Sequence, residues 1–195
     1  DNCASGGRRL DLETMSRSIS RWRFDFTSTA TQLLDHSALQ SMSMGLTRWL
    51  PVNSGGMGSD VSPYAWRSAG VAGKALVWGQ GGWDAVTKSQ AGQSFDVGLP
   101  GALAESRRLA PVVEGGADFW ALTAVTPDDS IWAAYQLAEA DGSAGFVMVF
   151  RRSNCTAHAA ETFPLLGLLP ARDYRLELYS LASMSVVHSS TLMGP

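Results

Sequence analysis

The sequence predicts a mixed fold, with βα units in the first half and an antiparallel all-β module in the second. Three observations predict it. Before Gly115-Gly116, strand-like runs alternate with stretches of helical period. After that pair, short strand-like runs follow one another with only turns between them, the pattern of an antiparallel sandwich. A chain of 195 residues has room for one large domain or two small ones. A division into 1–114 and 115–195 is therefore expected.

In the first half, Asp11 suits a helix N-cap and Glu13 a first turn, and Leu12, Met15 and Ile19 recur at helical spacing. Residues 20–26 read as a short strand ending at Asp25. Thr27 or Ser28 can cap the next helix, whose apolar stripe is Leu34, Ala38, Leu39, Met42 and Leu46. Thr47 to Val52 is a strand candidate, stopped by Pro51 and Asn53-Ser54-Gly55-Gly56. Pro63 to Ser68 predicts a short helix with proline at an early position. Ala72 to Trp78 is a third strand candidate, residues 79–99 carry no clear period, and Ala102, Leu103, Ser106, Leu109 and Val113 mark a further helix face.

In the second half, Phe119 to Val125 reads as a strand closed by Thr126-Pro127-Asp128-Asp129. Ile131 to Leu137 and Ala144 to Arg151 flank Asp141-Gly142, a hairpin signal. Tyr174, Leu176 and Leu178 alternate with Arg175, Glu177 and Tyr179 at a period of two, and Val186 to Ser190 is a further strand candidate.

Composition excludes several classes. A net charge of −3 and a pI near 5.5 give no footprint for nucleic acid. The longest apolar run, Phe146 to Phe150, is far too short to span a bilayer, and no signal peptide opens the chain. His36, His158 and His188 form no metal-binding spacing, so no metal and no cofactor is expected. Cys3 and Cys155 form one pair that could bridge, but two cysteines do not build a disulfide scaffold, and they favour a reducing cytoplasm. Cys3 has no nearby histidine, which argues against a cysteine nucleophile. Gly55-Gly56-Met57-Gly58 lacks the Lys-Ser/Thr of a phosphate loop and reads as a plain loop.

The segment Asn2-Cys3-Ala4-Ser5-Gly6-Gly7-Arg8-Arg9 precedes Arg21-Trp22-Arg23-Phe24-Asp25. It places a Gly-rich corner, where backbone can approach a ligand closely, just upstream of a carboxylate flanked by aromatics. Together with Asp11-Leu12-Glu13-Thr14, this segment resembles the Cys-containing loop of glycoside hydrolase family 36, the melibiase-type α-galactosidases. The resemblance continues through Asp60-Val61-Ser62-Pro63-Tyr64-Ala65-Trp66-Arg67-Ser68, Gly116 to Thr123 and Gly145 to Arg152. It covers nearly the whole chain; the first motif is quite specific, and the C-terminal strands are generic on their own.

The resemblance implies a partial (β/α)8 barrel followed by a β-sandwich. A complete barrel takes about 250 residues, so residues 1–114 supply only its last few units. It implies a retaining reaction on terminal α-linked galactose, with Asp25 as general acid/base and Cys3, Gly6 and Trp22 contacting the galactoside. The family's nucleophile lies in a Lys-x-Asp motif, which does not occur here. The chain is thus expected to be a fragment, inactive alone, that self-associates to cover its open barrel edge. One departure is Phe24, where the family usually has Ser. It either alters hydrogen bonding to the carboxylate or leaves a more apolar neighbourhood that raises its pKa.

The rival reading is a non-catalytic carbohydrate-binding or structural module. Exposure of Trp120, Trp132 and Tyr135 in one row would favour sugar binding. Their apolar surroundings in sequence favour burial and a bracing role.

Overall fold

The computed structural model describes residues 12–17, 36–50, 53, 63–69, 95–156, 160–180 and 185–195. Its helices come first: α1 (Leu12–Arg17), α2 (His36–Thr47), α3 (Pro63–Ala69) and α4 (Phe95–Glu114). Strands β1 (Asp118–Ala121), β2 (Ala133–Ala138), β3 (Gly145–Phe150), β4 (Asp173–Tyr179) and β5 (Val186–Met193) follow. They form a three-stranded antiparallel sheet in the order β1-β2-β3 and a two-stranded ribbon, β4-β5. Among the described residues the helices precede the antiparallel strands, which agrees with the coarse order the sequence predicts; no strand of the expected βα units is among them. The strand candidates at 20–26 and 72–78 lie outside the described residues.

The core forms where the three-stranded sheet meets the helices. Alternation puts Ala133, Tyr135 and Leu137 of β2 on one face, beside Phe119 of β1 and Phe146, Met148 and Phe150 of β3. Met44 of α2 and Val112 of α4 pack onto that face, with Tyr64 of α3 at its margin. Tyr135 is fully buried and stacks on Phe119 and Phe150 at ring separations of 5.7 and 6.4 Å. The other face is also covered. Gln136 exchanges two hydrogen bonds with the Leu166 backbone, at 2.6 and 2.9 Å, and Gly167 lies against the Trp120 ring. A strand covered on both faces loses its polar side, which is why every residue of β2 is buried.

Local chemistry accounts for the boundaries. Helix α4 ends because Gly116 takes a left-handed conformation (φ 80°), while Gly115 N–H returns to the Pro111 carbonyl. The β2–β3 hairpin turns at Gly142 (φ 63°), whose N–H bonds the Glu139 carbonyl, as Asp141-Gly142 predicts. Strand β1 ends at Ala121, short of the expected Val125. At Thr123 the side-chain hydroxyl takes the Ala134 N–H that a ladder carbonyl would otherwise accept.

Three expectations are corrected. Thr47 opens no strand: it is the last residue of α2, its hydroxyl donating to the Ser43 carbonyl, and Trp49 and Leu50 close a turn onto Leu46. Asn53 then donates to both Thr47 Oγ1 and the Leu50 carbonyl, serving groups left over at the helix end. The buried face of α2 is Ser37, Leu39, Gln40, Ser43, Met44 and Thr47, and Met42 is exposed. On α4, Glu105 turns inward while Leu103 is exposed. In both helices the inward polar residue meets an arginine of another segment, Arg152 for Gln40 and Arg67 for Glu105. The alternation in β4 is real, but Leu176 and Leu178 face outward, as does Leu12 of α1.

Candidate functional site

The four residues singled out for catalysis and sugar contact, Asp25, Cys3, Gly6 and Trp22, lie outside the described residues, as do Gly7, Arg8, Arg9 and Phe24. The elements that follow them in sequence are described. Helix α1 begins six residues after Gly6, and Glu13 pairs with Arg17 at 2.9 Å across one exposed turn. Helix α2 follows Asp25 and is described from His36.

The remaining motif segments come together. Pro63 to Ser68 forms most of α3, Gly116 to Thr123 contains β1, and Gly145 to Arg152 contains β3. Arg152, the last residue of the third segment, is 2 % exposed. Its Nε donates to Gln40 Oε1 at 3.0 Å, its Nη1 to the carbonyls of Thr126 and Asp128 at 2.7 and 2.6 Å, and its Nη2 to the Ser37 carbonyl at 3.3 Å. A buried guanidinium requires this many acceptors, because its charge has been taken out of water. Gln40 is oriented by that contact. Its oxygen faces Arg152, so its amide nitrogen must face α3, where it donates to Tyr64 Oη at 3.1 Å and Ser68 Oγ at 2.8 Å.

Tyr64 therefore accepts from Gln40 while its ring meets Phe150 edge-on at 5.7 Å and His36 at 5.1 Å. Burial raises the Tyr64 pKa above its ordinary 10.0, and the Gln40 hydrogen bond and the Arg152 charge oppose that rise. Trp66 is buried. Tyr64 thus packs where α3 meets α2 and β3.

A second polar cluster lies on the α3–α4 side. Arg67 grips Glu105 with two bonds, Nε to Oε1 at 2.9 Å and Nη2 to Oε2 at 2.7 Å. Arg108 approaches the same carboxylate at 3.6 Å and lays its guanidinium over the Tyr179 ring at 3.7 Å.

The aromatics proposed as a sugar platform do not form a row. Tyr135 faces the helices, Trp120 lies on the opposite face beneath Gly167, and Trp132 meets Phe163 edge-on at 6.5 Å. This arrangement favours bracing over sugar binding for the sheet. Cys155 is a free, buried thiol. Among the described residues, no group of three or more His, Cys, Asp and Glu is placed to hold a metal, and no helix is long and apolar enough to cross a membrane.

Sequence reasoning missed Gln40 and Arg152. Gln40 stands in an otherwise readable helix, and Arg152 follows a strand as an ordinary solvated arginine would. Their only signal was Gln40 beside Leu39, inside the stripe assigned to the core. Comparison with known proteins found no matching family model, no matching curated protein and no matching solved structure.

Proposed function

We propose that these residues are the C-terminal part of a retaining α-galactosidase-like glycoside hydrolase, comprising the last units of a (β/α)8 barrel and a β-sandwich. The reading is carried by one observation, the spacing of Cys3, Gly6, Trp22 and Asp25. It is supported by helices on the far side of both motifs, at Leu12–Arg17 and His36–Thr47, the order that βα units require.

In this reading Asp25 protonates the glycosidic oxygen as the bond to the anomeric carbon breaks. It then takes a proton from the water that releases galactose from the enzyme. A second carboxylate, about 5–5.5 Å away, forms the covalent intermediate. No Lys-x-Asp occurs among the 195 residues, so that nucleophile comes from residues outside them. The Gly6 backbone, Cys3 and Trp22 contact the sugar. Chains with an incomplete barrel associate, and sedimentation of a monodisperse monomer would count against that.

The test is release of p-nitrophenol from its α-galactoside by the purified chain and by Asp25→Asn. The reading expects no turnover in either. Turnover that Asp25→Asn abolishes would place a second carboxylate inside these residues and overturn the assignment of the nucleophile.

A further inference from the structure

The β4–β5 ribbon is joined to the remainder of the protein in an unusual way. Its apolar side chains contribute nothing to the core cluster, and Leu176, Leu178, Val186, Val187 and Met193 are exposed. Isolated two-stranded ribbons are marginal in water, so this one depends on its attachments.

Among the described residues, attachments sit at its two ends. At the Asp173–Met193 end, Gly194 N–H bonds the Arg172 carbonyl at 2.8 Å, Leu169 N–H bonds Tyr174 Oη at 2.7 Å, and Arg172 reaches the Asp141 carbonyl at 3.2 Å. Gly194 fits so closely that an added Cβ would meet the Leu169 carbonyl, which ties this end to the chain beside it. At the opposite end the contacts are charged and reach the helices. Glu105 is 5 % exposed and is held by Arg67. Arg67 Nη2 also donates to the Ser180 carbonyl at 3.4 Å, and Arg108 covers the Tyr179 ring. Tyr179 in turn donates to Glu177 Oε2 at 2.9 Å, and Arg175 pairs with the other oxygen of Glu177.

We infer that Glu105 is the keystone of a latch, and that the ribbon opens as a separate unit when the latch is released. Glu105 aligns both arginines that touch the ribbon. Without its charge, Arg67 and Arg108 lose the partner that fixes them, and among the described residues no ribbon residue belongs to the apolar core cluster. The helices and the three-stranded sheet keep the Met44–Val112–Tyr135 core and the Arg152 hydrogen bonds to Gln40, Thr126, Asp128 and Ser37, whose described members lie outside the ribbon. Sub-global opening of this kind is expected where a motif has few buried apolar contacts.

Amide hydrogen exchange on the whole chain tests the inference, with Glu105→Gln and Tyr179→Ala beside the unchanged protein. Tyr179→Ala touches the ribbon side only and leaves the buried ion pair intact, so it stays informative if Glu105→Gln does not fold. The latch predicts that amides of β4 and β5 exchange at least about tenfold faster in the variants, while those of β2 and β3 keep their rates. Unchanged exchange in β4 and β5 would overturn the inference. So would a parallel rise in β2 and β3, which would make the ribbon part of one cooperative unit.

Discussion

Arg152, just past the end of β3, and Gln40, in the middle of α2, meet at 3.0 Å although 112 residues separate them. The contact fixes the sense of every hydrogen bond around it. Gln40 has one acceptor and one donor group, and Arg152 can only donate. Helices α2 and α3 are therefore keyed to the sheet by a polar contact as well as an apolar one.

Arg152→Met keeps much of the side-chain volume and removes the donors. It strands Gln40 Oε1 in a buried site, at about 1–3 kcal/mol, and removes the donor from the partly buried contacts with the Thr126 and Asp128 carbonyls. Urea denaturation is expected to show a loss of about 3–5 kcal/mol, with part of it restored by adding Gln40→Leu. A loss under about 1 kcal/mol would mean that water reaches Gln40 Oε1, contrary to its burial.

Gly167 and Gly116 both hold positive φ, 68° and 80°, but differ in surroundings. A Cβ at Gly167 would lie 3.0 Å from Trp120 Cη2, whereas nothing lies within 4 Å at Gly116. Gly116→Ala is expected to cost only the backbone term, about 1–2 kcal/mol. Gly167→Ala should cost more and should alter Trp120 fluorescence. Equal costs would show that the segment over Trp120 yields freely.

Asp128 tests the electrostatics of the loop that receives Arg152. The Ser130 hydroxyl and then the Ser130 N–H bond its carboxylate and hold its pKa below the ordinary 3.8. A depressed carboxyl adds stability above 3.8, and that contribution fades as pH falls through 3.8 toward the lower folded-state value. Asp128→Asn is therefore expected to flatten the acid limb of stability against pH and to leave its alkaline limb unchanged. An unaltered acid limb would refute the assignment.

Much of the second half was legible because its signals are local. Asp141-Gly142 fixes a hairpin through backbone chirality, and Gly115-Gly116 stops a helix for the same reason. The faces of α2 and α4 were misread at Met42 and Leu103, though Leu39 and Val113 do turn inward, because period alone assumes that every apolar residue of a stripe does so. Here Gln40 and Glu105 turn inward to meet arginines on other elements, a long-range pairing that no window of sequence contains. Leu176 and Leu178 misled in the opposite sense, since a period of two identifies a strand without saying that anything covers it. The proposed catalytic constellation rests on motif spacing, because Cys3, Gly6, Trp22 and Asp25 all lie outside the described residues.

The most direct test of Asp25 as acid/base is azide rescue in the enzyme restored with a barrel half that bears the Lys-x-Asp nucleophile. Asp25→Ala should still form the galactosyl-enzyme from p-nitrophenyl α-galactoside, whose leaving group needs little protonation, and should stall at its hydrolysis. Azide needs no general base, so it should restore turnover and yield galactosyl azide of the α configuration. The β azide would make Asp25 the nucleophile instead. Absence of rescue from a folded variant would contradict a role for Asp25 in proton transfer.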